Sequence, residues 1–150
     1  MKHSINNFNA DEKIMQYMDK LDYFFNGHKT LIVTELDLTN RCNNRCPGCC
    51  GVNGNGAELS RHQVDLIVAG IADMGGKGVI LSGGGEPLIS PQFTYAVREL
   101  KKRGVKLGLN SNGLALTEEL ARLICENFEY FRISLDAASP ELYLKTHGMP

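Results

Sequence analysis

Residues 31–50 read LIVTELDLTNRCNNRCPGCC, an apolar segment of strand character that leads directly into closely spaced cysteines. Three of them, Cys42, Cys46 and Cys49, follow the spacing Cx3CxxC. Thiolates separated by two or three residues converge on one cluster, and three of them hold three corners of an iron–sulfur cube while the fourth iron stays open. The spacing therefore predicts a [4Fe–4S] cluster with one iron free to bind a ligand.

A structural zinc site is the alternative for these cysteines, with Cys50 as a fourth thiolate or His62 as a nitrogen ligand. Adjacent Cys49 and Cys50 point in different directions unless the backbone bends sharply, and structural zinc sites more often pair two separated CxxC knuckles. The iron–sulfur interpretation is favoured for these reasons. Cys50 is then expected to be a spectator, and Cys125, on the apolar stripe of a predicted helix, is expected to be a small core residue.

Strand-like and helix-like segments alternate along the chain, and an amphipathic helix over residues 10–25 precedes the first strand. Strands are predicted at residues 31–38, 78–81, 105–109 and 130–135. Helices are predicted after Ser60, from Ser90-Pro91 to Arg103, after Thr117 and from Ser139-Pro140 onward. Four successive β-α units imply an α/β fold with parallel strands.

Short polar or glycine-rich segments follow the later strands, as the cysteines follow the first. They read SGGGEP over residues 82–87, NSNG over 110–113 and SLD over 134–136. Loops at the carboxyl ends of parallel strands build the active site in such folds. All four segments are therefore expected at one edge of the sheet.

Together with the cysteines, these segments resemble the radical S-adenosylmethionine (SAM) superfamily over roughly residues 31 to 150. The resemblance implies a partial TIM-type barrel that carries a [4Fe–4S] cluster. It also implies that the amine and carboxylate of SAM chelate the open iron, and that an electron from the reduced cluster splits SAM into methionine and a 5′-deoxyadenosyl radical. That radical takes a hydrogen atom from the substrate.

The same resemblance implies which residues bind the cofactors. Cys42, Cys46 and Cys49 are the metal ligands. The SAM contacts are Gly84, Gly85, Glu86, Pro87, Ser111, Asn112, Ser134 and Asp136. Ser111 and Asn112 are equally consistent with a simple turn that contacts no cofactor. The alternative for Asp136 is a hydrogen bond to the backbone at the end of the strand. The family often has an aromatic residue just before the third cysteine, where this chain has Gly48, so the packing of the adenine must come from elsewhere.

Composition narrows the choice of partners. With 16 Lys and Arg against 17 Asp and Glu, the net charge of -1 gives no electrostatic reason to expect nucleic acid or an acidic membrane. No apolar run has the length of a signal peptide or a spanning helix, so a cytoplasmic protein with reduced thiols is expected. A small-molecule or peptide substrate is expected, and the resemblance implies an electron donor such as flavodoxin or ferredoxin.

Two regions are predicted: a helical extension over residues 1–30 and a radical SAM core over residues 31–150. Four β-α units are fewer than the six of the family's partial barrel, which favours a truncated core over a natural minimal version that needs a partner. The predicted function is a radical SAM enzyme that abstracts hydrogen from a peptide, protein or small-metabolite substrate. The alternatives are an activase of the glycyl-radical type and a non-catalytic iron–sulfur or zinc binding module.

Overall fold

The structure is a computed structural model that describes residues 17–49, 51 and 56–148. Its helices and strands alternate in the predicted order. The helices are α1 (Met18–Phe25), α2 (Arg61–Asp73), α3 (Phe93–Lys102), α4 (Glu118–Asn127) and α5 (Pro140–His147). The strands are β1 (Val33–Asp37), β2 (Gly78–Ser82), β3 (Lys106–Ser111) and β4 (Phe128–Ile133). Residues 10–16 of the predicted first helix lie outside the described residues.

The four strands form one parallel sheet in the order β1-β2-β3-β4. Parallel neighbours require crossover connections, and helices α2, α3 and α4 supply them in sequence. Because all strands run the same way, the segments that follow them meet at one edge of the sheet. The predicted α/β class, the parallel sheet and the helix that precedes it are confirmed.

One face of the sheet and the crossover helices bury the hydrophobic core. Alternate residues of the central strands are inaccessible, including Val79 and Leu81 of β2 and Leu107 and Leu109 of β3. On the helical side, the core includes Val64, Val68, Ile71, Phe93, Ala96, Val97, Leu100 and Ile124. The central strands are consequently rigid supports for the loops at their ends.

The predicted helix starts are confirmed at three positions. The hydroxyls of Ser60, Thr117 and Ser139 each accept a hydrogen bond from a backbone N–H in the first turn of the following helix. Ser60 also forms a reciprocal capping box with Gln63. The predicted start of α3 at about Ser90-Pro91 is two to three residues too early, because Pro91 and Gln92 form a turn and the helix begins at Phe93.

One further sequence prediction is wrong, because the burial of a side chain depends on which distant parts of the chain pack over it. Cys125 is exposed, because α4 turns Ile124 into the core and the next residue lies about 100° around the helix. Ile133 and Leu135, which flank Ser134, are 47% and 67% exposed. β4 is the outer strand of the described sheet, and little of the described chain packs over its far end. Of the helices in the described residues, none combines the length and apolar character needed to cross a membrane.

Candidate functional site

A cavity of about 410 Å³ lies at the carboxyl ends of the strands. It is lined by the cysteine loop (residues 38–49), by the residues that end β2, β3 and β4, and by the C-terminal turn of α5. Five segments therefore meet at one place, and the parallel topology brings together the four that follow strands.

All three cysteines of the Cx3CxxC spacing line this cavity as free thiols. A turn joins two of them, in which the backbone N–H of Cys49 donates to the carbonyl of Cys46 over 3.1 Å. Burial raises the pKa of the Cys46 thiol, and the nearby Cys49 and Cys42 raise that pKa further because three thiolates would repel one another. A bound cation removes that repulsion and favours thiolates, so the donor set suits an iron–sulfur cluster.

The zinc alternative needs a fourth ligand in addition to the three cysteines. Within residues 17–49, 51 and 56–148, no three His, Cys, Asp or Glu side chains are grouped closely enough to hold a single metal ion. Cys50 lies outside the described residues. His62 is exposed near the start of α2 and is not among the residues that line the cavity.

Glu86 holds the middle of the site together. Its side chain is 2% exposed. One carboxylate oxygen accepts from the backbone N–H of Leu88 at 3.0 Å and from the hydroxyl of Ser111 at 2.6 Å, and the other accepts from the backbone N–H of Asn112 at 2.8 Å. The backbone N–H of Glu86 donates to the carbonyl of Arg41 at 2.8 Å. Glu86 thus joins the cysteine loop to the end of β3.

The glycines next to Glu86 permit close contact between two loops. A Cβ atom on Gly85 would collide with the carbonyl oxygens of Arg41 and Thr39, the latter at 2.6 Å. A Cβ atom on Gly51 would lie 2.6 Å from the backbone of Gly84. The absence of side chains here is therefore required by loop packing.

Asn112 makes a second connection to the cysteine loop. Its amide Nδ2 donates to Asn43 Oδ1 at 2.7 Å and lies 3.8 Å from Cys42 Sγ. Its Oδ1 accepts from the backbone N–H of Leu114 at 2.9 Å, which closes the turn that the Asn-Gly sequence predicts. Asn112 thus has both the turn role and a place beside a cysteine.

The inner face of the sheet places polar side chains in the cavity. Arg132, Ser134 and Asp136 alternate along one segment and all line it, as expected for side chains two positions apart. Arg132 pairs in register with Asn110, whose Nδ2 donates to Ser82 Oγ at 3.4 Å. Arg132 was not predicted as a site residue, although its spacing from Ser134 would have identified it.

Most of the predicted SAM contacts lie together. Six of the eight line the cavity: Gly85, Glu86, Ser111, Asn112, Ser134 and Asp136. The other two, Gly84 and Pro87, are not among the lining residues. The backbone N–H of Gly84 donates to the Asp37 carboxylate at 3.1 Å, and Pro87 is buried at the start of a short 3-10 turn. Sequence analysis also missed Thr146 and His147 of α5, which line the cavity.

Comparisons with known proteins agree with this geometry. The family model described as the radical SAM superfamily matches residues 36–150. A tungsten-containing aldehyde ferredoxin oxidoreductase cofactor-modifying protein of Pyrococcus furiosus is 36% identical over 95 residues, which cover 61% of this chain and 26% of that protein. A GTP 3′,8-cyclase of Synechococcus is 32% identical over 126 residues, which cover 81% of this chain and 36% of the cyclase.

Among solved structures, Streptococcus suis SuiB bound to S-adenosylmethionine is similar, with a TM-score of 0.70 and 16% identity over 97% of this chain and 36% of SuiB. SuiB has also been solved bound to its precursor peptide SuiA. The present chain spans about a third of the length of the curated relatives it matches. Members of the matching family use a [4Fe–4S] cluster and SAM. On the match over residues 36–150 and the fold and cysteine loop that accompany it, the chain belongs to the radical SAM superfamily.

Proposed function

We propose that this chain is the cofactor-binding core of a radical SAM enzyme. In this proposal, Cys42, Cys46 and Cys49 hold a [4Fe–4S] cluster and the adjoining cavity binds SAM. One observation carries it: the three free thiols and the ends of three neighbouring strands line a single cavity. When bound, the two cofactors supply hydrogen-atom abstraction through a 5′-deoxyadenosyl radical.

The residues of the chain then have distinct tasks. Arg132 offers a guanidinium for the carboxylate of SAM, because arginine recognises planar anions well. Asp136 and Ser134 offer acceptors on the same inner face. Glu86 positions Ser111 and Asn112 through the three hydrogen bonds that its carboxylate accepts. Gly84 and Pro87 support the turn that places Glu86.

We assign the core to residues 31–150 and a helical extension to residues 1–30. A peptide, protein or small metabolite is the proposed substrate class, and the names of similar proteins support more than one of these. SuiB was solved with a precursor peptide, whereas another relative is named for modification of a cofactor. The reaction needs one electron per SAM cleaved, so a donor of the flavodoxin or ferredoxin class is proposed, with the protein in the cytoplasm.

Anaerobic reconstitution of the 150-residue chain tests the proposal. The wild-type chain should bind about four irons, and each of Cys42→Ala, Cys46→Ala and Cys49→Ala should lose most of that iron because a cube needs all three thiolates. Cys125→Ala is the matched control, since Cys125 is an exposed cysteine on α4 away from the cavity. Reduction in the presence of SAM should release 5′-deoxyadenosine from the wild-type chain.

Two results would contradict the binding of a cluster. The first is a Cys46→Ala chain that retains the full complement of iron and sulfide. The second is a wild-type chain that is colourless and binds one zinc. A cluster that forms without any cleavage of SAM would instead support a non-catalytic module.

A further inference from the structure

The C-terminal turn of α5 is attached to the cysteine loop, and neither the family motifs nor the spacing of the cysteines predicts this contact. The backbone N–H of Arg45 donates to the carbonyl of His147 at 2.9 Å, and Asn44 Nδ2 donates to the Tyr143 hydroxyl at 3.3 Å. Gly148 lies against Arg45 so closely that a Cβ atom would collide with the Arg45 carbonyl. The loop that carries the thiols is therefore shaped partly by α5.

His147 reaches a cysteine directly. Its side chain is buried, with 3% of the residue exposed, and its Nδ1 lies 3.3 Å from Cys46 Sγ. The ring stacks on Tyr143 with a centroid separation of 4.1 Å and an interplanar angle of 23°. Burial and stacking fix the ring plane, so the direction of Nδ1 toward the sulfur is set by packing.

The chemistry of a thiolate decides which way the hydrogen bond runs. A thiolate ligand has no proton and only accepts, so an attractive contact requires a proton on Nδ1. The opposite nitrogen, Nε2, has no hydrogen-bond partner among the residues that the structure describes, and Asp136 Oδ2 lies 3.7 Å from it. Nε2 itself is buried, with the Asp136 carboxylate beside it.

We propose that His147 is a positioning residue for the cluster: its Nδ1–H donates to the Cys46 thiolate, orients that ligand and raises the reduction potential of the cluster. The inference rests on the proposed function, since it requires that Cys46 be a cluster ligand. Hydrogen bonds to cysteine sulfurs are among the factors that set cluster potentials, and they favour the reduced cluster because it is the more negative form.

Three variants separate the hydrogen bond from the packing of the ring. His147→Phe keeps an aromatic ring against Tyr143 but removes the donor. His147→Asn places an amide N–H near the position of Nδ1 and so retains the donor, whereas His147→Gln places its amide toward Nε2. The control is His28→Phe, because His28 also stacks on a tyrosine at 4.1 Å but is exposed and is not among the residues that line the cavity.

The measurements are iron content and the reduction potential of the cluster, followed by electron paramagnetic resonance during a redox titration. We expect full iron in all chains and a lower potential in His147→Phe. Reduction should become about tenfold less favourable, a shift of about 59 mV for one electron. His147→Asn and His28→Phe should stay near the wild-type potential.

The outcomes distinguish the two proposals. A wild-type chain that binds no cluster refutes the proposed function itself. A loaded His147→Phe chain with the wild-type potential refutes the role of His147, as does a His147→Asn chain shifted as far as His147→Phe. If His147→Phe cannot retain the cluster, the Asn and Gln variants decide: equal potentials in these two overturn the inference, and a lower potential in Gln alone supports it.

Discussion

Replacing Glu86 by Gln should destabilise the protein before any cofactor binds. The carboxylate is buried and all of its described contacts are donors: Leu88 and Asn112 through backbone N–H groups, and Ser111 through its hydroxyl. A glutamine has the same shape, but one of its two terminal atoms is an NH2 group that cannot accept. In either orientation, at least one backbone N–H of the pair loses its acceptor.

The size of the effect follows from these contacts. An unsatisfied buried donor costs about 1–3 kcal/mol, so Glu86→Gln should lower the free energy of unfolding by about that amount. Glu86→Ala removes the acceptor for both N–H groups and opens a cavity, and should cost about 3–5 kcal/mol. Against a total of about 5–15 kcal/mol for a domain, the alanine variant would be close to unfolding.

Denaturant unfolding of the cofactor-free chain, followed by circular dichroism, measures these differences. Glu118→Gln is the control, because Glu118 forms an exposed ion pair with Arg122 on α4 and should change stability by less than about 1 kcal/mol. If Glu86→Gln left the free energy of unfolding unchanged and only weakened SAM binding, the carboxylate would be a ligand group and our view of it as an internal connection would be refuted.

Two other changes have equally definite expectations. Gly85→Ala should destabilise the chain by about 1–3 kcal/mol, because its Cβ would meet the Arg41 carbonyl. Gly70→Ala lies within α2, its Cβ would meet no described atom within 4 Å, and it should stabilise the chain by about 0.5–1 kcal/mol. Thermal unfolding compares the two variants, and a Gly85→Ala chain as stable as wild type would contradict the packing argument. Arg132→Ala should leave the iron content unchanged and weaken SAM binding about tenfold, and the affinity of Arg132→Lys should lie between those of Arg132→Ala and wild type. Calorimetry on the cluster-loaded chain measures these affinities. If the affinity of Arg132→Ala were within twofold of wild type, Arg132 would not be part of the SAM site.

Local signals predicted much of the architecture. The apolar runs of the four strands and the hydroxyl caps at Ser60, Thr117 and Ser139 depend on residues only a few positions apart, and each is confirmed within a few residues. A prediction of burial is wrong where the burial of a side chain depends on elements that are distant in sequence. Cys125 is in a helix as predicted, but what packs over it depends on the rest of the chain.

In the candidate site, too, local sequence patterns predicted some features, and contacts between distant residues determined the others. The strand-end motifs placed the cysteines, Glu86, Ser111 and Ser134 around one cavity, because the topology brings all strand ends together. The direction of the Glu86 carboxylate could not be predicted, since two of its three partners, Ser111 and Asn112, lie 25 and 26 residues away. The approach of His147 to Cys46 spans 101 positions and involves no motif.

The distance in sequence between Cys46 and His147 has a consequence for the order in which the chain is translated and the cysteine loop takes its final shape. The segment around Cys46 is in contact with Tyr143, His147 and Gly148. Before residue 148 has been translated, the cysteine loop lacks these contacts. Contacts of such long range form late in folding, because the intervening chain must first be ordered. In the proposed function, a cluster is therefore expected to enter the protein after residues 143–148 have been translated and have packed against the cysteine loop.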